Sequence, residues 1–193
     1  HFPNHPKNEA MGQRSVPCSR ELWIERDDFM TEPVKGFHRL VPNGEVRLRG
    51  VGIIRCEEVV HDGDGNIVEL KATLDASTRH GQAGSDRKVK GTIHWVSAIH
   101  AVAAEVRLYD RLFDTANPDD DNDGKTYVDH LNPTSKRVVK GWLEAGLADA
   151  KPEDVVQFER LGYFVGDRHD HGPEHPVFNR VVTLRDVWAK TSR

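Results

Sequence analysis

Only two cysteines occur in 193 residues, Cys18 and Cys56, and no CxxC spacing joins them. A disulfide framework and a cysteine-based zinc site are therefore excluded as organising devices. Two reduced thiols, buried or half-buried, in a reducing compartment are expected instead. No apolar run reaches the roughly 18 residues a membrane-spanning helix needs. Positive charge is not in excess either: 27 Lys and Arg stand against 31 Asp and Glu, a formal net charge of -4. Any attraction to nucleic acid must come from a local basic patch, because the charge of the whole chain opposes it. The phosphate-loop (GxxxxGK), hydrolase (GxSxG), zinc-protease (HExxH) and Gly-rich dinucleotide signatures are all missing, so no catalytic set emerges. A starting Met and a signal peptide are missing too, and the abrupt opening on HFPNHP leads us to expect a piece of something longer.

What is present is strand patterning. The longest stretch with a buried signal is 89–113, where Ile93/Trp95 and Val106/Leu108 recur at strand period beyond a Gly91 hinge. Its alanine-bearing middle, 98–105, is too short for a self-sustaining helix and is read as a continuous or bulged strand. Arg107 and Arg111 alternate with Val106 and Leu108, so one face is expected to close a core while the other stays basic and wet.

Along the chain, prolines and Gly12 make 1–20 an arm that lies on something. Residues 22–24 read as a strand with Trp23 facing away from its neighbours, and 25–30 as a helical turn led by acids. Pro42-Asn43-Gly44 predicts a tight hairpin between 37–41 and a strand carrying Val46 and Leu48 inward and Arg47 and Arg49 outward. His61 to Asn66 (HDGDGN) turns a second hairpin returning through 67–74, and 77–87 is a polar loop. The run Asp119, Asp121, Asp123, Gly124 matches the start of a calcium loop but ends on His130 where a bidentate Glu is required, so a solvated loop is preferred. His169, Asp170, His171 and His175 form a histidine cluster in a Gly/Pro loop, read as loop before zinc site. Strands are expected at 136–140, in 155–165 and at 178–184, with one or two helical turns in 142–150 and 185–190 closing the chain. Short strands with regular turns point to an all-β chain, with barrels as the expected form.

Arginines and aromatics interleave on these strands: Phe37, His38, Arg39; Arg47, Arg49, Arg55; Arg107, Tyr109, Arg111; Gln157, Phe158, Arg160, Tyr163. Such platforms suit splayed single-stranded RNA bases, which need ring stacking and rigid hydrogen-bond forks. Protein contact uses the same residues, and a sugar- or metabolite-binding enzyme remains a third possibility at this level.

The segments PNHP (3–6), MGQRSVP (11–17), ELWIERDDF (21–29), RLVPNGEVRLR (39–49), KVKGTIHWVS (88–97), EVRLYDRLF (105–113), QFERLGYF (157–164) and VFNRVVTLRDVWAK (177–190) resemble, in order, the C-terminal anticodon-binding region of bacterial glutaminyl-tRNA synthetases. The resemblance implies two linked antiparallel β-barrels of the ribosomal protein L25-like, class I synthetase type with few short helices: a proximal one from 1–35 plus 116–193 and a distal one from 36–115. It implies tRNA-Gln as partner, through its anticodon loop, and a covalently linked upstream class I core absent from this chain. ATP with magnesium belongs to that core, so no cofactor is expected in this chain, which should bind tRNA without aminoacylating it. A cytoplasmic monomer without membrane contact is expected.

By the same resemblance Arg47 matches the arginine meeting the first anticodon base (C or U), Gln157 a glutamine at the middle U, and Arg39 the arginine reading the third base, G. Arg offers paired donors to a base edge, and Gln one donor side and one acceptor. Pro6 with Lys7 and Asn8 matches an arm touching the anticodon stem-loop, and Arg160 a backbone contact. Gly36 and His38 stand where many relatives carry glutamine and lysine; His38 would hold phosphate or base less strongly than Lys. The 6–11 loop has one extra residue, and a further pocket arginine of the family would precede residue 1. Two alternatives stand beside it: the tail of a eukaryotic or archaeal-type glutamyl-tRNA synthetase, which should read C at the third position, and a stand-alone L25-like ribosomal RNA-binding or scaffold barrel. The wording GTIHWVS and LYDRLF favours the glutaminyl side.

Overall fold

The computed structural model describes residues 1–120 and 124–184. Asp121 and Asp123 of the acidic run and the closing stretch 185–190 lie outside the described residues. The described chain is all-β, its helical content confined to single 3₁₀ turns of three or four residues. Among the described residues thirteen strands are present: β1 Phe2–Pro3, β2 Gln13–Arg14, β3 Leu22–Trp23, β4 Glu45–Leu48, β5 Gly52–His61, β6 Ile67–Asp75, β7 Thr92–Ile93, β8 Val96–Ser97, β9 Val102–Tyr109, β10 Lys136–Leu143, β11 Val155–Phe158, β12 Gly162–Gly166 and β13 Val177–Thr183. They fall into two units, His1–His100 and Ala101–Arg193.

In the first unit a four-stranded sheet runs β6-β5-β4-β7, with β4 parallel to β7 and antiparallel to β5. Alternation puts Val46 and Leu48 of β4 in the core with Phe29, Leu40, Cys56, Ile93 and Trp95. The long β5–β6 hairpin turns on Asp62, whose Oδ1 accepts the N–H groups of Asp64 and Asn66 at 2.9 and 2.8 Å. The Asp62 carboxylate therefore serves the turn. Both cysteines are free thiols, Cys18 exposed and Cys56 buried.

Two expectations for this unit change. Asn43 does occupy a turn, with φ 58° and the Gly44 N–H donating to the Val41 carbonyl at 2.9 Å. It does not close a hairpin, however, because Asn43 N and Gly44 O pair with Cys56 of β5, drawing the turn onto that strand. Residues 98–105 are not a continuous strand: a turn at 98–100 separates β8 from β9, and only 102–109 is extended. The N-terminal arm lies on the unit as expected, its Phe2 ring against Gly50 and Val16 against the core, and it also pairs with itself as β1–β2, Phe2 opposite Arg14.

The second unit holds a five-stranded sheet, β10-β9-β13-β12-β11, mixed because β13 runs parallel to β9. Strand β9, expected with 36–115, thus pairs with β10 and β13, while Phe29 of the 1–35 segment packs into the first unit's core. Its core gathers Ala104, Val106, Leu143, Phe164 and Phe178. Phe158 stacks on Phe164 at 4.2 Å between centroids and tilts against Phe178 at 5.6 Å, contacts each worth about 0.5–1.5 kcal/mol beyond burial. The strand region 155–165 is a hairpin, because Arg160 reverses the chain in the left-handed region at φ 65°. Trp142 extends β10 where a helical turn was expected; the turn follows at Ala145–Leu147. His171, from the histidine cluster, has both ring nitrogens 2.9 Å from main-chain carbonyls, those of Val177 and Ala150, which ties the loop to the sheet.

The basic, wet face expected around Arg107 is not there. Its guanidinium meets Glu105 at 2.6 Å, Asp167 at 3.1 Å and Asp170 at 2.7 Å, leaving the side chain 12% exposed. The Glu105 hydrogen bond first, then Asp170, pushes its pKa further up. Arg107 is a clamp holding the 167–170 loop to β9.

Candidate nucleic-acid interface

Arg39 sits in the segment leading to Leu40, which bridges Phe29. Its Nη1 donates to the Asp27 carbonyl at 3.0 Å and lies 3.1 Å from Oδ1 of Asp28, a fully buried carboxylate. One arm of its guanidinium is thus held by the 3₁₀ turn Arg26–Asp28, and the side chain remains 32% exposed. His38 is exposed.

Arg47 stands on β4's outward face, two residues beyond Glu45. Its main-chain N–H donates to Gly91 O at 3.0 Å, which fixes the register against β7. Its guanidinium donates through Nη1 to the Thr78 carbonyl at 3.4 Å and through Nη2 to the Arg87 carbonyl at 2.5 Å. Two of five donors are thereby spent on protein, setting the plane in which the others point.

Gly91 links the two arginines. A Cβ there would overlap the His38 carbonyl oxygen, so only glycine lets the 38–39 segment lie against the residue that pairs with Arg47. Upstream, Phe37 N–H closes a turn on the Val34 carbonyl at 3.0 Å with Gly36 at φ 89°, the third-position geometry of a type II turn. The missing glutamine at 36 is therefore accompanied by a backbone that glycine adopts freely and other residues adopt with strain.

Pro6, Lys7 and Asn8 are exposed on the same unit. Asn8 caps the turn Glu9–Met11, its Oδ1 accepting the Ala10 N–H at 3.1 Å. Lys7 donates its main-chain N–H to His5 Nδ1 at 3.2 Å. Gln157 and Arg160 belong to the second unit: Gln157 is exposed on edge strand β11, directly across from Tyr163, which is itself 42% exposed. The pair sets an amide beside an aromatic face on one sheet surface.

Sequence reasoning missed the residues that hold Arg47. Thr78 and Arg87 act through main-chain carbonyls, which carry no side-chain signature, and both lay in a stretch read only as polar loop. Chemically, the first unit offers two anchored guanidinium forks and the second an amide with a ring; neither forms a set of acid, base and nucleophile. Among the described residues no cluster of histidine, cysteine and carboxylate side chains could hold a metal ion.

Two family profiles, both described as tRNA synthetases class I (E and Q), anti-codon binding domain, match residues 1–75 and 92–167. Among curated relatives, the glutamine–tRNA ligase of Xylella fastidiosa (strain M12) is 65% identical over 189 residues, 98% of this chain and 33% of that protein. The glutamine–tRNA ligase of Xanthomonas campestris pv. campestris (strain 8004) is 62% identical with the same coverage of 98% and 33%, and that of Xanthomonas oryzae pv. oryzae (strain MAFF 311018) 61%, again covering 98% and 33%. The chain spans about a third of the length of the curated relatives it matches.

Proposed function

Because this chain belongs to the anticodon-binding domain family of the class I (E and Q) tRNA synthetases, we propose that it recognises the anticodon loop of tRNA-Gln on behalf of a glutamine–tRNA ligase. In this reading Arg47 meets the first base, C or U, Gln157 the middle U, and Arg39 the third base, G. Pro6, Lys7 and Asn8 touch the stem-loop, His38 supplies a weak contact beside Arg39, and Arg160 meets the sugar-phosphate backbone. Glutamine activation with ATP and magnesium is assigned to the part of the relatives beyond the matched third, so the chain binds tRNA and does not charge it. The protein works as a cytoplasmic monomer.

The observation that carries the reading is the anchoring of Arg47. A guanidinium held by two carbonyls on the outward face of a strand loses little further freedom on meeting a base edge, and it presents paired donors in a fixed plane. An unanchored surface arginine would serve phosphate equally well and read nothing.

Footprinting tRNA-Gln with the chain, using transcripts changed one anticodon base at a time, tests the proposal. Protection of the anticodon loop that weakens with each changed base is expected. Protection elsewhere, or indifference to the anticodon, overturns it, and a preference for C at the third position transfers the chain to glutamate tRNA.

A further inference from the structure

Glu45 and Arg47 lie two apart on β4 and share its outward face. Arg87 grips both. Its guanidinium forks onto the Glu45 carboxylate, Nη1 to Oε2 at 2.9 Å and Nη2 to Oε1 at 3.2 Å, with Asp75 Oδ2 at 3.6 Å. Its carbonyl is the one that accepts from Arg47 Nη2 at 2.5 Å. A bidentate fork is directional, so the side chain fixes where along β4 that carbonyl sits.

The segment leading to Arg87 is itself braced. Ser77 donates its N–H and Oγ to Asp75 Oδ1 at 3.0 and 2.6 Å, and buried Thr78 donates to the Asp75 carbonyl at 2.7 Å while accepting the Ile53 N–H at 2.8 Å. Gly84 N–H donates to Ser77 O at 2.9 Å, and Arg87 N–H to Gly84 O at 3.0 Å. The second carbonyl holding Arg47, that of Thr78, belongs to the same braced segment. Charge follows geometry: the Glu45 hydrogen bond pushes Arg87 up, and Ser77 pulls the Asp75 carboxyl down.

We propose that Arg87 is a positioning residue that, through Glu45, sets the orientation of the Arg47 guanidinium and so the discrimination of the first anticodon base. The inference rests on the base assigned to Arg47 above and adds the residues that make its reading selective. A fork held in one plane rejects a base whose acceptors lie elsewhere, whereas a loosened one follows the charge of any nearby phosphate.

The test measures affinity of the 193-residue chain for tRNA-Gln transcripts varied at the first or the third anticodon base, with R47A, R87Q, E45Q and the charge exchange E45R/R87E. R87Q and E45Q should each lower first-base preference about threefold to tenfold, leave third-base preference unchanged, and add nothing in the R47A background. The charge exchange should recover part of the preference, which a merely structural role would not require. The Arg87–Glu45 pair is about two-fifths exposed on both sides, so the variants should fold normally. Positioning is overturned if R47A lowers first-base preference while R87Q and E45Q leave it intact, weaken every transcript equally, or act additively with R47A. If R47A itself leaves first-base preference unchanged, the base assigned to Arg47 is wrong and this inference falls with it.

Discussion

Nη1 of Arg39 lies 3.1 Å from Oδ1 of Asp28, a carboxylate wholly removed from solvent. The residue proposed to read a base is therefore also a partner of a buried charge. R39A should destabilise the first unit as well as weaken tRNA binding. Breaking a fully buried pair costs about 3–5 kcal/mol, and the exposure of Arg39 reduces that to about 1–3 kcal/mol here. Urea unfolding should show the loss, with R39A/D28N regaining much of it; an unchanged R39A midpoint would mean the ion pair contributes nothing.

Base reading by Arg39 needs a test that this stability effect does not mimic. Well below the melting temperature, R39A should cost about 1–3 kcal/mol against cognate tRNA-Gln and much less against a transcript whose third anticodon base is already changed, because both defects remove one contact. Purely additive losses in this cycle would show that Arg39 does not touch that base.

Gly91 offers a second handle on the same region. A methyl group there would overlap the His38 carbonyl oxygen and come within 3.1 Å of Val46 Cγ2. G91A should cost about 1–3 kcal/mol in stability, the range for overpacking. It should also blunt first-base and third-base discrimination together, because it pushes the 38–39 segment away from the strand paired with Arg47. Loss of one preference without the other would mean that the two arginines are positioned independently.

These effects mark where sequence was legible. The β5–β6 hairpin and the inward Val46 and Leu48 follow from local alternation and the Asp-Gly turn, since strand period and turn chemistry are written within a few residues. The partner of the Asn43 turn was not legible, because Cys56 captures its backbone and nothing in Pro-Asn-Gly specifies which strand will do so. Arg107 misled in part for the same reason: Glu105 lies beside it in sequence, but Asp167, which shares in neutralising it, stands 60 residues away. Arg39, Arg47 and Gln157 could be singled out through resemblance alone, while the carbonyls that orient Arg47 could not.

Acid should reach the second unit through Asp167. Hydrogen bonding from Asn179 at 2.7 Å, then from the N–H groups of Asp170 and His169, together with the Arg107 charge, holds its carboxyl well below the usual range. An unfolded Asp titrates near 3.9, so as pH falls below about 4 the unfolded chain takes up this proton first. The stability Asp167 supplies is thus present above about pH 4 and is lost as pH falls towards the folded value. D167N should lower the melting temperature at pH 7 and flatten its dependence below about pH 4. Parallel curves for the two proteins would show that Asp167 is not an acid-sensitive support.

Arg160 allows charge to be separated from fold. It occupies the left-handed region at φ 65° in the turn between β11 and β12, a conformation costing a non-glycine residue about 1–2 kcal/mol. R160G removes a half-buried side chain with its contacts while easing the backbone, two opposed effects, so the melting temperature is measured alongside binding. If Arg160 meets the sugar-phosphate backbone, affinity should fall about equally for every anticodon, and the slope of log affinity against log salt should shrink by about 1. Q157E should do the opposite: by exchanging an amide donor for an acceptor on edge strand β11, it should penalise transcripts with U at the middle position more than those already changed there. Binding titrations of both variants across salt and across middle-base transcripts check the contrast. An anticodon-dependent loss in R160G, or a uniform loss in Q157E, would reverse the roles assigned to these two residues.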